Sequence, residues 1–151
     1  MSAPTTSTPD CFLVGIDDSD CSRRALEFAR NRAQAMNARL VVVYVIEWSP
    51  FSFNTPEENE QRHRRREEEI ALASKSVLEP ALQALRDAGV EAEGIVRHGN
   101  VADVLNGLAA ERGAIQMVVG RVGESGLKSM IFGSVTSKLV QVANVPVTVV
   151  P

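Results

Sequence analysis

Cysteine is scarce in this chain. Cys11 and Cys21 are the only two among 151 residues, too few for a disulfide scaffold and without Cys-x-x-Cys spacing. A reduced, cytoplasmic setting is expected, with both thiols structural. No apolar run approaches the ~20 residues a membrane helix requires, so no membrane insertion is expected. Residues 1–10 hold Ser, Thr and Pro without a basic start or an apolar stretch. They read as a disordered tail, not a secretory leader. Positive charge is in deficit as well: 16 Lys and Arg face 19 Asp and Glu, for a net charge of −3. That balance argues against electrostatic binding of nucleic acid. Two phosphate-binding signatures are also missing, since neither Gly-Lys-Ser/Thr nor Gly-x-Gly-x-x-Gly occurs.

What is present is a composition of 44% hydrophobic and 23% charged residues, enough for one domain with a substantial core, placed at residues 11–151. Residues 11–16 are short and continuously apolar, as suits a strand covered on both faces. Asp17, Asp18, Ser19 and Asp20 supply helix-capping oxygens. Ala25, Leu26, Ala29, Ala33 and Met36 then keep helical spacing. Residues 40–46 form the strongest strand, β-branched and without alternation, and are expected to be central. Trp48, Pro50, Phe51, Phe53 and Pro56 mark an irregular loop at its carboxyl end, whose aromatics either cover a ligand or close the core edge, the second being the commoner use of loop aromatics.

Residues 57–88 predict a long helix. Its charged run at 62–69 places Arg64/Glu68 and Arg65/Glu69 at i,i+4. A stripe of Val77, Leu78, Ala81, Leu82 and Leu85 comes next. Pro80 predicts a kink within it, and Gly89 ends the helix. Residues 90–97 alternate weakly, as a third strand near an edge. Asn100 caps a helix with the apolar face Val101, Val104, Leu105, Leu108 and Ala109. Residues 115–119 and 145–150 read as the fourth and fifth strands, the last with Pro146 near its start. Between them, Leu139, Val140 and Val142 read as one face of a short helix. The alternation predicts an α/β, single-domain, doubly wound sheet of five mainly parallel strands with helices on both faces, Rossmann-like in plan. Ligands in such sheets bind beyond the carboxyl ends of the strands, at the topological switch point. The ends of strands one, two and four carry Asp17, Val45 and Gly120.

After the fourth strand come Gly120, Arg121, Val122, Gly123, Glu124, Ser125 and Gly126, and later Gly133, Ser134, Val135 and Thr136 at a helix start. A strand, a glycine-rich loop and a helix start present backbone N–H groups and a positive dipole end, which suits an anion. Glycine is needed there where φ is positive or where a ligand oxygen comes closer than a Cβ permits. Gly120, Gly123 and Gly126 are read as turning amides toward phosphate oxygens. Ser134 and Thr136 add hydroxyls, and Arg121 and Lys128 offset charge. Asp17, across the crevice, is placed to accept from a ribose hydroxyl or to hold Mg²⁺ bound to phosphates. Its competing role is helix capping, which Asp18 or Ser19 can fill equally.

The spacing of Gly120, Gly123 and Gly133-Ser134, with Gly15-Ile16-Asp17-Asp18-Ser19-Asp20 and Ser22-Arg23-Arg24-Ala25-Leu26, resembles the nucleotide-binding branch of the universal stress protein family. The resemblance runs from Cys11 to Pro151 and implies an adenine nucleotide alpha hydrolase-like fold. It implies ATP as ligand, with ADP or AMP open. Gly15 and Asp17 match positions at the adenosine end, and Val45 matches the residue whose backbone contacts adenine. The loop from Gly120 to Gly126 with Ser134, Val135 and Thr136 matches the segment that wraps the phosphates. A homodimer through Val147–Val150 is implied too, since that apolar edge otherwise needs protection, as is a regulatory, stress-response role toward a protein partner. The chain departs from the family pattern at Ile115-Gln116, at Val122 and at Glu124.

Three rival readings share parts of this pattern. A phosphoacceptor receiver domain needs an acceptor Asp after the third strand, where Arg97-His98 stands. A slow ATPase or phosphotransfer enzyme needs a base, for which His98, expected in a surface turn, and Glu124 are the candidates. A nucleotide-free interaction module of the same fold would lack the intact glycine and serine spacing.

Overall fold

Five strands alternate with helices, as the apolar runs and helical spacings require: β1 (Cys11–Ile16), α1 (Asp20–Met36), β2 (Arg39–Glu47), α2 (Pro56–Ala73), α3 (Glu79–Asp87), β3 (Ala92–Gly99), α4 (Val101–Arg112), β4 (Gln116–Gly120), α5 (Ser134–Val142) and β5 (Val147–Val150). The structure, a computed structural model, describes residues 7–47, 55–123 and 132–151. The aromatic loop with Trp48, Pro50, Phe51 and Phe53 lies outside the described residues. So do Glu124, Ser125, Gly126, Lys128 and residues 1–6 of the expected tail. Residues 7–10 are exposed, and the Asp10 carbonyl accepts from the Arg39 amide at 2.8 Å.

The sheet order is β3-β2-β1-β4-β5, and every pairing is parallel. From β1 the chain steps outward through β2 to β3, then returns to the other side of β1 with β4 and β5. The strand with the strongest pattern, β2, therefore lies inside the sheet, while the middle place belongs to β1. β3 and β5 are the edges. Connections from β1 and β4 leave in opposite senses, which sets the switch point between them.

Both sheet faces are covered, which is why the strands read as unbroken apolar runs. Phe12, Val14, Leu40, Val42 and Val118 point to the face packed by α1 and α3. Leu13, Val41, Val43, Met117 and Val119 point to the face packed by α4 and α5. Burying a large aliphatic side chain of this kind contributes about 1.5–3 kcal/mol. α1 approaches closely because its inner stripe is small: Cys21, Ser22, Ala25, Ala29 and Ala33 are buried. Met36 is not part of that stripe, being 42% exposed. The chain leaves the helix at Asn37, whose φ is 50°, and Ala38 takes the buried place.

Two other expectations change. The buried face of α5 is Thr136 and Leu139, and Val140 and Val142 are turned outward. In the long helix, the irregularity comes before Pro80: residues Ser74–Leu78 are π-helical, and Pro80 sits in the first turn of α3. A proline lacks an N–H and crowds the carbonyl four residues back. The wider turn just ahead of it carries a bond from the Glu79 N–H to the Ser74 carbonyl. Of the charged run, Arg64 pairs back to Glu60 at 3.7 Å, and Glu69 reaches His98 at 3.0 Å. The exposed Arg64–Glu60 pair contributes at most about 1 kcal/mol.

Candidate functional site

Parallel strands β1, β2 and β4 end on one side of the sheet, and the crevice between the segments leaving β1 and β4 holds a cavity of about 580 Å³. That volume suits a small organic ligand. The wall brings together Gly15 and Asp17 after β1, Val45 of β2, Gly120, Val122 and Gly123 after β4, and Gly133, Ser134, Val135 and Thr136 at the start of α5. Arg121 does not line it, and its side chain is exposed. Leu105 of α4 reaches over Gly15, so closely that a Cβ on residue 15 would stand 2.9 Å from Leu105 Cδ1.

The turn from β1 into α1 is held by its own oxygens. Ser19 is the helix cap, with β-region dihedrals and an Oγ that accepts from the Ser22 amide at 3.1 Å. Asp17 Oδ1 accepts from the Ser19 amide at 2.8 Å, and the Asp17 amide donates to Ser22 Oγ at 2.8 Å. With the cap supplied by Ser19, the Asp17 carboxylate faces the loop after β4: a Cβ on Gly123 would stand 3.0 Å from Asp17 Oδ2.

Among the described residues, the glycines with positive φ are Gly89, Gly99 and Gly113. Gly120 and Gly123 therefore serve through close approach and not through a left-handed backbone. At Gly120 the neighbour is α1: a Cβ there would stand 3.0 Å from the carbonyl carbon of Cys21. The Thr136 hydroxyl donates to the Gly120 carbonyl at 2.8 Å, and the Gly133 amide donates to the Arg121 carbonyl at 2.9 Å. Thr136, which is buried, thus fastens α5 to the end of β4. α5 begins after Gly133, which offers no side-chain cap, and among the described residues its first amides have no side-chain acceptor.

The candidate base His98 lies elsewhere. β3 runs through residue 99, so His98 is a strand residue with a side chain only 11% exposed, bonded to Glu69 Oε2. It is not in the cavity wall. Residues to which the sequence assigns no ligand contact also line the site, among them Ser19 and Ser22 of the β1–α1 motif, and Tyr44, Glu47, Val101 and Leu105, which belong to no motif. Tyr44 and Glu47 are signalled by their neighbour Val45 at the same strand end. Val101 and Leu105 show in the sequence only as a helix's core face. Among the described residues no group of three or more His, Cys, Asp or Glu side chains is placed to hold a metal. No helix among them is long and apolar enough to cross a membrane.

Comparison with known proteins adds a second line of support. The family model described as "Universal stress protein family" matches residues 11–151. Universal stress protein YxiE of Bacillus subtilis is 33% identical over 146 residues, covering 92% of this chain and 97% of that protein. The chain spans about half the length of a Mycobacterium tuberculosis relative, universal stress protein Rv1996, at 29% identity. Two solved structures align across it. One is a universal stress protein in complex with cAMP, 25% identical, with a TM-score of 0.68 and coverage of 96% of this chain and 99% of that one. The other is the universal stress protein from Archaeoglobus fulgidus in complex with dAMP, 25% identical, with a TM-score of 0.66 and coverage of 96% and 98%.

Proposed function

The chain belongs to the universal stress protein family, and from that premise we propose that its cavity binds an adenine nucleotide, ATP foremost, and that the bound form offers a regulatory surface to a protein partner in the cytoplasm. The carrying observation is the convergence of three strand ends and the uncapped start of α5 on one cavity of about 580 Å³. Val45 and its β2 neighbours suit the base, by main-chain contacts and apolar packing. Val122, Gly123 and the amides opening α5 suit phosphate oxygens. The relatives bound to cAMP and dAMP place adenine ligands on the same fold. ADP and AMP use the same groups with fewer phosphate contacts.

The Asp17 carboxylate faces Gly123, and a Mg²⁺ ion would take it together with phosphate oxygens and water. When bound, the ion would neutralise phosphate charge beside that carboxylate. β5 is an apolar edge strand, and we assign it to self-association of two copies. Val140 and Val142 of α5 are further exposed apolar residues in this part of the chain.

The direct test is chromatography of the supernatant from heat-denatured purified protein, where adenine nucleotide is expected. Added ATP at ~100 times its Kd should stabilise the fold by about 2.7 kcal/mol in a thermal melt. Absence of both co-purified nucleotide and any shift with ATP, ADP or AMP would leave the interaction-module reading in its place.

A further inference from the structure

The first residue of the glycine loop is held from two sides. The Arg121 amide donates to the carbonyl of Val150 at 2.7 Å, continuing the β4–β5 ladder, and to Cys21 Sγ at 3.1 Å. The Cys21 thiol in turn donates to the same Val150 carbonyl at 3.1 Å. Three elements therefore meet at one amide: the first turn of α1, the end of β5 and the exit of β4. Cys21 is buried, and Gly120 lies against its main chain and its sulfur, where a Cβ would come within 3.0 Å of either. A little farther along β5's exit, Arg24 Nε donates to the Pro151 carbonyl at 2.8 Å, a second tie between α1 and that end of the chain. Gly120, Val122 and Gly123, on either side of the held amide, line the cavity.

We infer that Cys21 is a positioning residue for the ligand loop: its thiol and the Val150 carbonyl together fix the Arg121 amide, tying the end of β5 to the cavity wall. The inference rests on the adenine-nucleotide reading of that cavity. The thiol is suited to this place because it donates and accepts while remaining a small, largely apolar group among packed neighbours. The sulfur touches no ligand in this scheme. It acts through the loop's first amide, so its loss should loosen the loop's root and lower affinity without removing any group from the cavity wall.

The test is calorimetric titration with ATP of the wild-type, Cys21→Ser and Cys21→Val chains, beside melts of each without ligand. Serine keeps a donor and an acceptor, whereas valine supplies neither and adds the bulk of a second branch. Cys21→Ser is expected within about threefold of wild-type affinity, and Cys21→Val about tenfold weaker. Cys21→Ala, which removes both bonds without added bulk, gives an independent reading by amide hydrogen exchange: the Arg121 N–H should exchange faster than in the wild type while Met117 to Val119 keep their protection. Equal affinity in the wild type and Cys21→Val, serine as weak as valine, or unchanged exchange at Arg121 would each overturn the role of Cys21. A wild-type chain that binds no adenine nucleotide would instead remove the cavity reading on which the inference stands.

Discussion

Asp17 and Gly123 face one another across the crevice, the carboxylate Oδ2 lying 3.0 Å from where a Cβ on residue 123 would stand. Nothing bulkier than hydrogen fits there without moving the carboxylate or the loop. Gly123→Val is therefore expected to weaken ATP binding by about tenfold or more, equivalent to about 1.4 kcal/mol. Residue 123 is outside the core, so the melting temperature without ligand should change little. Titration calorimetry and a circular dichroism melt separate the two effects, and wild-type affinity in the variant would show that Gly123 has no part in binding.

Gly120 predicts the reverse pattern. Its would-be Cβ meets the main chain of Cys21, which cannot rotate aside as a side chain would. Gly120→Ala should push α1 from the end of β4 and lower stability by about 1–3 kcal/mol. Urea denaturation measures it, and an unchanged midpoint would mean that α1 and β4 have room to separate.

Ser19 is both the cap of α1 and part of the cavity wall. Removing its Oγ in Ser19→Ala leaves the Ser22 amide without its acceptor and should cost about 0.5–2 kcal/mol. Ser19→Asp keeps an acceptor at that point and should recover most of the loss in the same urea experiment. Equal destabilisation by both substitutions would argue that packing, and not capping, is the role of the side chain.

β5 pairs with β4 through the Pro146 and Val150 carbonyls. Parallel ladders alternate, so the main-chain groups of Val147 and Val149 point toward the open edge. Val149→Pro removes one outward N–H without touching the inward bonds. Sedimentation velocity should show a wild-type dimer and a monomeric variant with a retained far-ultraviolet spectrum. A variant that sediments as the wild type does would place self-association on another surface.

Cys11 gives the pH dependence. Burial pushes its thiol above the ordinary value of 9.0, Arg39 and Arg112 oppose that rise, and Glu93 adds to it. The unfolded chain then ionises first as pH rises, so stability from this group is whole below pH 9.0 and declines above it. The wild type should lose stability between pH 8 and 10 more steeply than Cys11→Val, read from urea midpoints across about that interval. Parallel profiles would show that the thiol does not titrate with unfolding.

Much of this is legible in the chain because several elements obey a single local rule. Residues 11–16 form the strand that their apolar run predicts, and Asn100 and Gly113 bound α4 through the cap chemistry their side chains or lack of them allow. The crevice is legible too, since parallel order alone puts the ends of β1, β2 and β4 on one side. What cannot be read depends on contacts between distant segments. That Thr136 spends its hydroxyl on Gly120, that Gly120 is small for the sake of Cys21, and that His98 turns to Glu69 are all relations across elements. Val140 and Val142 show a different limit. Apolar spacing marks a helix, but which side of so short a helix meets the sheet is decided by the anchoring of Thr136 and Leu139.

The π-helical residues 74–78 have one more consequence. Each residue of an α-helix turns its side chain by about 100°, so one surplus residue acts as a rotational offset between the helix before it and the helix after it. Here it stands between α2, whose residues are mostly water-facing, and α3, whose Leu82 and Leu85 are buried, and sets the face of one against the face of the other. Removing one residue from 74–78 would turn the faces of α2 and α3 relative to one another by about 100°, so one of the two helices would have to give up the side it now presents to the sheet.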